Sequence, residues 1–197
     1  VIRCSQEGEK KVYELIELVG LNKEHLNRYP HELSGGQVQR AVLARILSLK
    51  PRFVVVDEPT SMLDVSVQAQ VLNLLKDIQK MFNIAYLFIS HDLDVVCWMS
   101  DRMAIMYCGD IVEIGPAEKV YDDPLHPYTK NLVQAFSQFN QGNHRTEMRE
   151  NSQKKCIITG FSGCNFYPRC PLAGSACGEK PELKKAGNGH LVACHNV

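Results

Sequence analysis

The sequence predicts an α/β fold, and two kinds of segment carry that prediction. Residues 53–56 and 84–89 are short apolar runs rich in β-branched residues, typical of buried strands in a parallel sheet. Between them, residues 65–82 place apolar side chains at helical spacing. A strand, a helix and a strand in this order indicate a β-α-β unit, so we expect the two strands to lie parallel.

Further elements are predicted on both sides of this unit. A helix is expected over residues 10–27, with Gly20 as a stop signal, and a second over about 36–49, closed by Pro51. A third strand is expected over 103–107. The turn Cys108-Gly109-Asp110 then leads into residues 111–114 and predicts a hairpin at the sheet edge.

Composition places the chain among ordinary globular proteins. Its 197 residues are 45% hydrophobic, with 22 Lys and Arg against 22 Asp and Glu. This charge balance argues against nucleic acid as the main partner. No apolar run approaches the roughly 18 residues of a membrane-spanning helix.

The chain is expected to have three parts. Residues 1–136 form the first and largest, residues 137–155 are polar and predict a linker, and residues 156–197 form a small unit rich in Cys, Gly and Pro. The chain opens on Val1 where Met is usual, which suggests a truncated product.

A candidate phosphate site lies at the start of the second predicted helix. Ser34 can cap that helix, and Gly35 and Gly36 leave room for anion oxygens near the backbone N–H groups at its positive end; Gln37 follows. A capped helix with a flexible entry is the alternative interpretation.

Two adjacent carboxylates follow the first strand. Asp57 and Glu58 are placed at its carboxyl end, where open α/β sheets bind ligands. One carboxylate can hold Mg²⁺ while the other polarises an attacking water. The alternative is a solvated strand end.

Together these segments resemble the ATP-binding cassette (ABC) ATPases. The similarity rests on four motifs in the family's order: the signature motif, the Walker B strand, the D-loop and the switch-histidine segment. They correspond to residues 33–40, 53–58, 61–64 and 89–93. The resemblance implies a partial ABC cassette, with a helical region and a parallel-sheet core, followed by the Cys-rich unit.

The resemblance also implies roles for single residues. Asp57 would support Mg²⁺, Glu58 would act as general base on water, and His91 would contact the γ-phosphate of ATP. Asp64 would communicate between two subunits. Signature residues 34–37 would cover the nucleotide bound by the partner subunit.

One family feature is missing from these 197 residues. No Gly is followed by Lys, so the phosphate loop Gly-x4-Gly-Lys-Ser/Thr is absent. The resemblance therefore covers the later part of a cassette, and we expect this chain alone to bind ATP poorly and to be inactive.

The four cysteines of the tail indicate a local site. Cys164, Cys170, Cys177 and Cys194 have the spacing Cys-x5-Cys-x6-Cys-x16-Cys. Four thiolates can close a zinc site or hold a [4Fe-4S] cluster, and unmetallated thiols are the third option. The gaps are longer than most zinc motifs have. His190 and His195 are candidate substitutes for a thiolate in a zinc site.

The tail also refines the family. Residues 123–130 and 163–171 resemble the region that follows the cassette in oligopeptide, dipeptide and nickel importers, some of which carry a [4Fe-4S] cluster on such cysteines. The implied protein is a peripheral ATPase on the cytoplasmic face of the membrane. Its implied partners are a second ATPase subunit, two transmembrane permeases and, indirectly, an extracytoplasmic binding protein. Two alternatives remain: a soluble ABC ATPase without a transport role, and a non-catalytic regulatory or metal-binding remnant.

Overall fold

A computed structural model of the chain describes residues 6–61, 63–140 and 162–197. In chain order its elements are α1 (Gln6–Leu18), α2 (Gly35–Leu47), β1 (Phe53–Asp57), α3 (Val65–Phe82), β2 (Ala85–Ile89), α4 (Leu93–Met99), β3 (Arg102–Tyr107), β4 (Asp110–Pro116), α5 (Ala117–Asp122), α6 (Pro127–Asn140), β5 (Lys184–Gly187) and β6 (His190–Val192). Short 3-10 turns cover Lys23–Asn27, Pro30–Glu32, Tyr167–Arg169 and Ser175–Gly178. The chain divides into two compact units, Val1–His91 and Asp92–Val197.

The predicted β-α-β unit is present in the first unit. Strands β1 and β2 pair in parallel, with Phe53 opposite Ala85 and Asp57 opposite Ile89. Helix α3 connects them and has the predicted bounds; Asp64 caps it by accepting a hydrogen bond from Val67 N at 2.9 Å. This parallel pair brings the residues after both strands to the same edge of the sheet.

The helix predicted over 10–27 is wrong at its C-terminal end. Helix α1 ends at Leu18, because Gly20 adopts a left-handed φ of 72°. Arg40 Nη1 donates to Val19 O at 2.9 Å, and a Cβ on Gly20 would lie 2.5 Å from that Nη1. The chain therefore needs glycine there and turns away from the helix axis.

Strands β1 and β2 are buried on one face only among the described residues, which corrects the prediction that they are fully buried. Phe53, Val55 and Leu87 are about half exposed, at 57%, 52% and 50%. On the other face Val54 and Tyr86 pack against the core of the first unit. The members of that core are apolar residues of the helices and connecting loops: Ile16, Val19, Leu21, Ala44, Leu47, Ile78 and Ile84.

The second unit contains a four-stranded antiparallel sheet in the order β3-β4-β6-β5. The predicted β3–β4 hairpin is confirmed, with left-handed φ values at Cys108 and Gly109. It lies in this second sheet, and the prediction that it borders the parallel sheet is wrong. Strands β5 and β6 come from the Cys-rich tail and pair with β4, so the tail is joined to the hairpin by backbone hydrogen bonds.

A buried carboxylate lies at the centre of the second unit. The side chain of Glu113 on β4 is fully buried. It accepts hydrogen bonds from Leu125 N (2.8 Å), His126 N (2.9 Å) and His190 Nε2 (2.7 Å). One side chain thereby fixes both the segment before α6 and the tail strand β6 to β4.

The predicted linker, residues 137–155, lies mostly outside the described residues, and α6 continues into its first positions. The three-part division therefore stays a prediction. Within the described ranges no helix is long and apolar enough to cross a membrane.

Candidate active site

Glu58 lies directly after β1 in an unusual backbone conformation. Its φ is 44°, a left-handed value that is uncommon for a residue with a long side chain. Its N–H donates to Ile89 O at 2.9 Å, which continues the β1–β2 pairing by one residue. The positive φ and this hydrogen bond together direct the carboxylate toward the residues that follow β2.

His91, two residues after β2, binds the Glu58 carboxylate through two donors. Its Nδ1 lies 2.8 Å from Oε1 and 3.0 Å from Oε2, and its backbone N donates to Oε1 at 3.1 Å. An ionised carboxylate only accepts hydrogen bonds, so Nδ1 carries a proton. The histidine side chain is 76% exposed, so the ring is accessible to a ligand.

Asp57, the last residue of β1, presents an exposed carboxylate beside Glu58. Mg²⁺ is usually held by one or two carboxylates together with substrate phosphates and waters. Asp57 therefore fits the role of a single protein ligand. The structure thus brings together Glu58 and His91, and Asp57 precedes Glu58 in the sequence.

The signature segment forms a complete capping box, which confirms Ser34 as the cap of α2. Ser34 Oγ accepts from Gln37 N at 3.3 Å, and Gln37 Oε1 accepts from Ser34 N at 2.9 Å. Two donors of the first helical turn are satisfied, and the positive end of the helix is held in one geometry.

The two signature glycines face the segment that resembles the D-loop. A Cβ on Gly35 would lie 2.9 Å from Leu63 Cδ2, and one on Gly36 would lie 2.6 Å from Val67 Cγ1. Asp64 caps α3 between these two contacts. The start of α2 is therefore packed against the start of α3, and only glycine permits this separation.

One short turn connects the two groups of residues. Ser61 N and Oγ both contact Glu58 O, at 3.4 and 3.2 Å, and Leu63 N donates to Thr60 O at 3.1 Å. The chain from Glu58 to Asp64 thus runs from the carboxylate to the residues packed on the signature segment.

The four tail cysteines do not form a metal site in this structure. Cys164, Cys170, Cys177 and Cys194 all have free thiols. Across the described part of the chain, no group of three or more His, Cys, Asp or Glu side chains has a geometry that holds a metal ion. Burial raises the pKa of Cys164 and Cys170; hydrogen bonds from backbone N–H groups oppose this, and neighbouring thiols add to it.

The two histidines proposed as zinc ligands bind elsewhere. His190 is buried against Glu113, and His195 Nε2 contacts Glu179 O at 3.1 Å.

A cavity of about 540 Å³ lies in the second unit, where Asp110, Cys164 and Lys180 line part of its wall. None of the nucleotide-motif residues lines it.

Sequence patterns did not predict the contacts of two residues, His25 and Glu113. His25 contacts the signature glutamine, with 3.1 Å between His25 Nε2 and Gln37 Nε2. No local pattern marks this contact, because it joins a loop to a helix. Glu113 was detectable in principle, since a carboxylate in the apolar run from Ile111 to Ile114 needs a buried partner.

Two family profiles match the chain. Residues 5–61 match the ABC transporter family, and residues 112–177 match the oligopeptide/dipeptide transporter C-terminal region. The first match includes the signature segment, Asp57 and Glu58. The second includes Glu113, His126 and three of the four tail cysteines.

Similar proteins agree with these profiles. The chain is 44% identical to the oligopeptide transport ATP-binding protein AppF of Bacillus subtilis (strain 168), over 96% of the chain and 59% of the relative. It is 51% identical to the oligopeptide transport ATP-binding protein OppF of the same strain, over 98% of the chain and 58% of the relative. The chain thus spans about three fifths of the length of these curated relatives.

A solved structure supports the fold. The ADP conformation of MJ1267, an ATP-binding cassette of an ABC transporter, is similar with a TM-score of 0.59 and 25% identity, over 68% of this chain and 52% of that one. The α/β arrangement of parallel strands and helices is therefore of the ABC ATPase type. By its two profiles and these identities, the chain is a homologue of ABC transporter proteins, and the relatives named above are oligopeptide transport ATP-binding proteins.

Proposed function

We propose that this chain is part of the ATP-hydrolysing subunit of a peptide importer. The observation that carries the proposal is the contact between Glu58 and His91 at the carboxyl ends of two paired parallel strands. Open α/β sheets bind ligands at that edge. The relatives whose names specify oligopeptide transport favour peptides over nickel as the imported substrate.

The proposed chemistry is phosphoryl transfer from ATP to water. Glu58 accepts a proton from the attacking water, and His91 orients the Glu58 carboxylate through Nδ1 while its ring faces the γ-phosphate. Bound through Asp57, Mg²⁺ would neutralise charge on the phosphate oxygens. Most of the acceleration then comes from positioning and charge stabilisation.

The signature segment acts on a second nucleotide in this proposal. Ser34, Gly35, Gly36 and Gln37 would cover the ATP bound by a partner ATPase subunit. The capping box supports this role, because it holds the positive end of α2 in one geometry. Asp64 would relay contacts between the subunits from its position at the start of α3.

The similarity to transport ATP-binding proteins supports the proposed partners and location. We propose a dimer of ATPase subunits bound to two transmembrane permeases on the cytoplasmic face of the membrane, with a binding protein that delivers peptide from the other side. The 197 residues contain no Gly-Lys phosphate loop. We therefore propose that they hydrolyse ATP only within the intact ATPase.

A metal in the tail remains a hypothesis without geometric support. The thiols of the described tail would have to rearrange to hold a [4Fe-4S] cluster or Zn²⁺. Iron, sulfide and zinc assays after anaerobic purification test it. Stoichiometric iron and sulfide would establish the cluster, zinc alone would reject it, and neither would leave the free thiols that the structure shows.

The proposed function is tested with the intact ATPase that carries this sequence, purified together with its permeases. Peptide delivered by the binding protein should stimulate phosphate release from ATP. Hydrolysis without co-purifying permeases would indicate a soluble ABC ATPase. Absence of both ATP binding and hydrolysis would indicate a non-catalytic remnant.

A further inference from the structure

His25 contacts the signature motif from outside it. It lies in the 3-10 turn Lys23–Asn27, and its Nε2 is 3.1 Å from Nε2 of Gln37 in a partly buried contact. The two residues are twelve positions apart. The turn before the motif and the first turn of α2 are therefore joined by one pair of side chains.

The capping box determines which end of the Gln37 amide faces His25. Ser34 N–H donates to Gln37 Oε1 at 2.9 Å, and an amide nitrogen could not accept that hydrogen bond. The Gln37 oxygen is thus directed to Ser34. The NH₂ group, a donor, is directed to the histidine ring.

Two donors then compete for the ring of His25. The Gln37 NH₂ group can donate to His25 Nε2 only where that nitrogen is unprotonated, and a neutral ring then carries its proton on Nδ1. Asn22 O lies 3.3 Å from Nδ1 and can accept that proton. The Asn22 backbone N–H also donates to Nδ1 at 3.1 Å, and this hydrogen bond requires the opposite tautomer, with the proton on Nε2. A neutral ring can accept from Gln37 or from the Asn22 backbone, but not from both, so the tautomer reports which of the two hydrogen bonds forms.

We propose that His25 is a positioning residue of the signature motif. It holds the Gln37 amide, which in turn holds the Ser34 backbone at the start of α2. The inference rests on the proposed function for its effect on ATP, because the signature segment acts on nucleotide only there. The hydrogen-bond arrangement itself does not depend on that function.

The first test measures the ring directly. Two-bond nitrogen–proton correlation NMR on the ¹⁵N-labelled 197-residue chain separates protonated from unprotonated ring nitrogens. We expect the Nδ1–H tautomer for His25 in the unchanged chain. In Gln37→Ala we expect a shift to Nε2–H, with Asn22 N–H donating to Nδ1. An Nε2–H tautomer in the unchanged chain, or a tautomer unaffected by Gln37→Ala, overturns the proposal.

The second test measures the effect on nucleotide in the intact ATPase with its permeases. His25→Ala should raise the KM for ATP about three- to tenfold with a smaller change in kcat, the effect of losing one hydrogen bond that orders a binding segment. His25→Gln, whose side-chain oxygen can accept from Gln37, should restore most of the loss. His31→Ala is the matched control, since His31 precedes the motif and stacks on Tyr29 with 5.6 Å between the ring centroids.

The outcomes separate the two proposals. An inactive unchanged ATPase rejects the proposed function, while the NMR result still decides the hydrogen-bond arrangement. An active ATPase whose KM is the same in His25→Ala and His31→Ala rejects the positioning role even where the tautomer is as expected.

Discussion

Nδ1 of His91 lies 2.8 Å from Oε1 of Glu58, and the backbone N–H of His91 donates to the same oxygen at 3.1 Å. The carboxylate is thus held by two donors from one residue, although the pair is exposed to solvent. Glu58 reaches this position through a left-handed φ of 44°. Backbone strain, strand pairing and a histidine donor all serve to orient one carboxylate at the edge of the parallel sheet.

Replacing His91 tests both functions of its ring. In the intact ATPase, His91→Ala should lower kcat by about 10², the usual loss when a donor to developing charge is removed. His91→Asn can still donate to Glu58 but lacks the second ring nitrogen. Phosphate release by both variants separates the roles: recovery in His91→Asn would limit His91 to orienting Glu58, whereas equal losses support contact with the γ-phosphate.

Gly36 is predicted to be required for packing at the start of α2. A Cβ there would lie 2.6 Å from Val67 Cγ1. Gly36→Ala should reduce the free energy of unfolding by about 1–3 kcal/mol, the usual cost of overpacking. Val67→Ala in the same chain should relieve the clash. In urea denaturation, the double variant should therefore lose less unfolding free energy than the sum of the losses in the two single variants. Additive effects would contradict a direct clash.

Glu113 is predicted to be the main polar anchor of the second unit. The Glu113 carboxylate accepts three hydrogen bonds. In Glu113→Gln one of its two oxygens becomes an NH₂ group, which faces a donor and cannot accept from it. The loss should be about 3–5 kcal/mol of unfolding free energy, as for other buried pairs broken on one side. The exposed Glu182→Gln is the control. Similar denaturation midpoints for the two variants would refute the anchor.

His126 predicts a pH dependence of stability. Burial lowers its pKa from the ordinary value of 6.5, opposed by the charge of Glu113, and its Nδ1 accepts from Tyr128 N at 3.0 Å. Below about pH 6.5 the unfolded chain therefore binds a proton more readily than the folded chain, so the unfolding free energy falls as pH decreases through that range.

The variant His126→Gln isolates this contribution, because its side-chain oxygen can also accept from Tyr128 N. Urea denaturation at pH 7.5, 6.5 and 5.5 should show a smaller decline for the variant than for the unchanged chain. Equal declines would mean that His126 does not carry the proton linkage.

Local patterns predicted those parts of the fold that depend on local sequence. Helix α3 has the predicted bounds because its apolar periodicity and its Asp64 cap agree. Helix α1 ended early because the left-handed Gly20 outweighed the apolar pattern that continued beyond it. Strands β5 and β6 were missed, since each is short and β5 begins with two lysines, so only pairing with β4 defines them.

Local sequence likewise predicted some residues of the candidate site and not others. Glu58, Asp57 and Ser34 were found because each stands at the end of a predictable element. His25 and the packing partner Val67 were not, because their contacts depend on how a loop and two helices meet. For the tail cysteines, the metal site that their spacing suggests stays a prediction, because the described residues show no metal-binding geometry.

The most direct test of the central claim is phosphate release by the intact ATPase carrying Glu58→Gln, with Glu14→Gln on the exposed surface of α1 as the matched control. Removal of the general base should lower kcat by about 10² to 10⁴ while ATP binding is retained. Turnover equal to that of the control would contradict the account and remove Glu58 from the reaction.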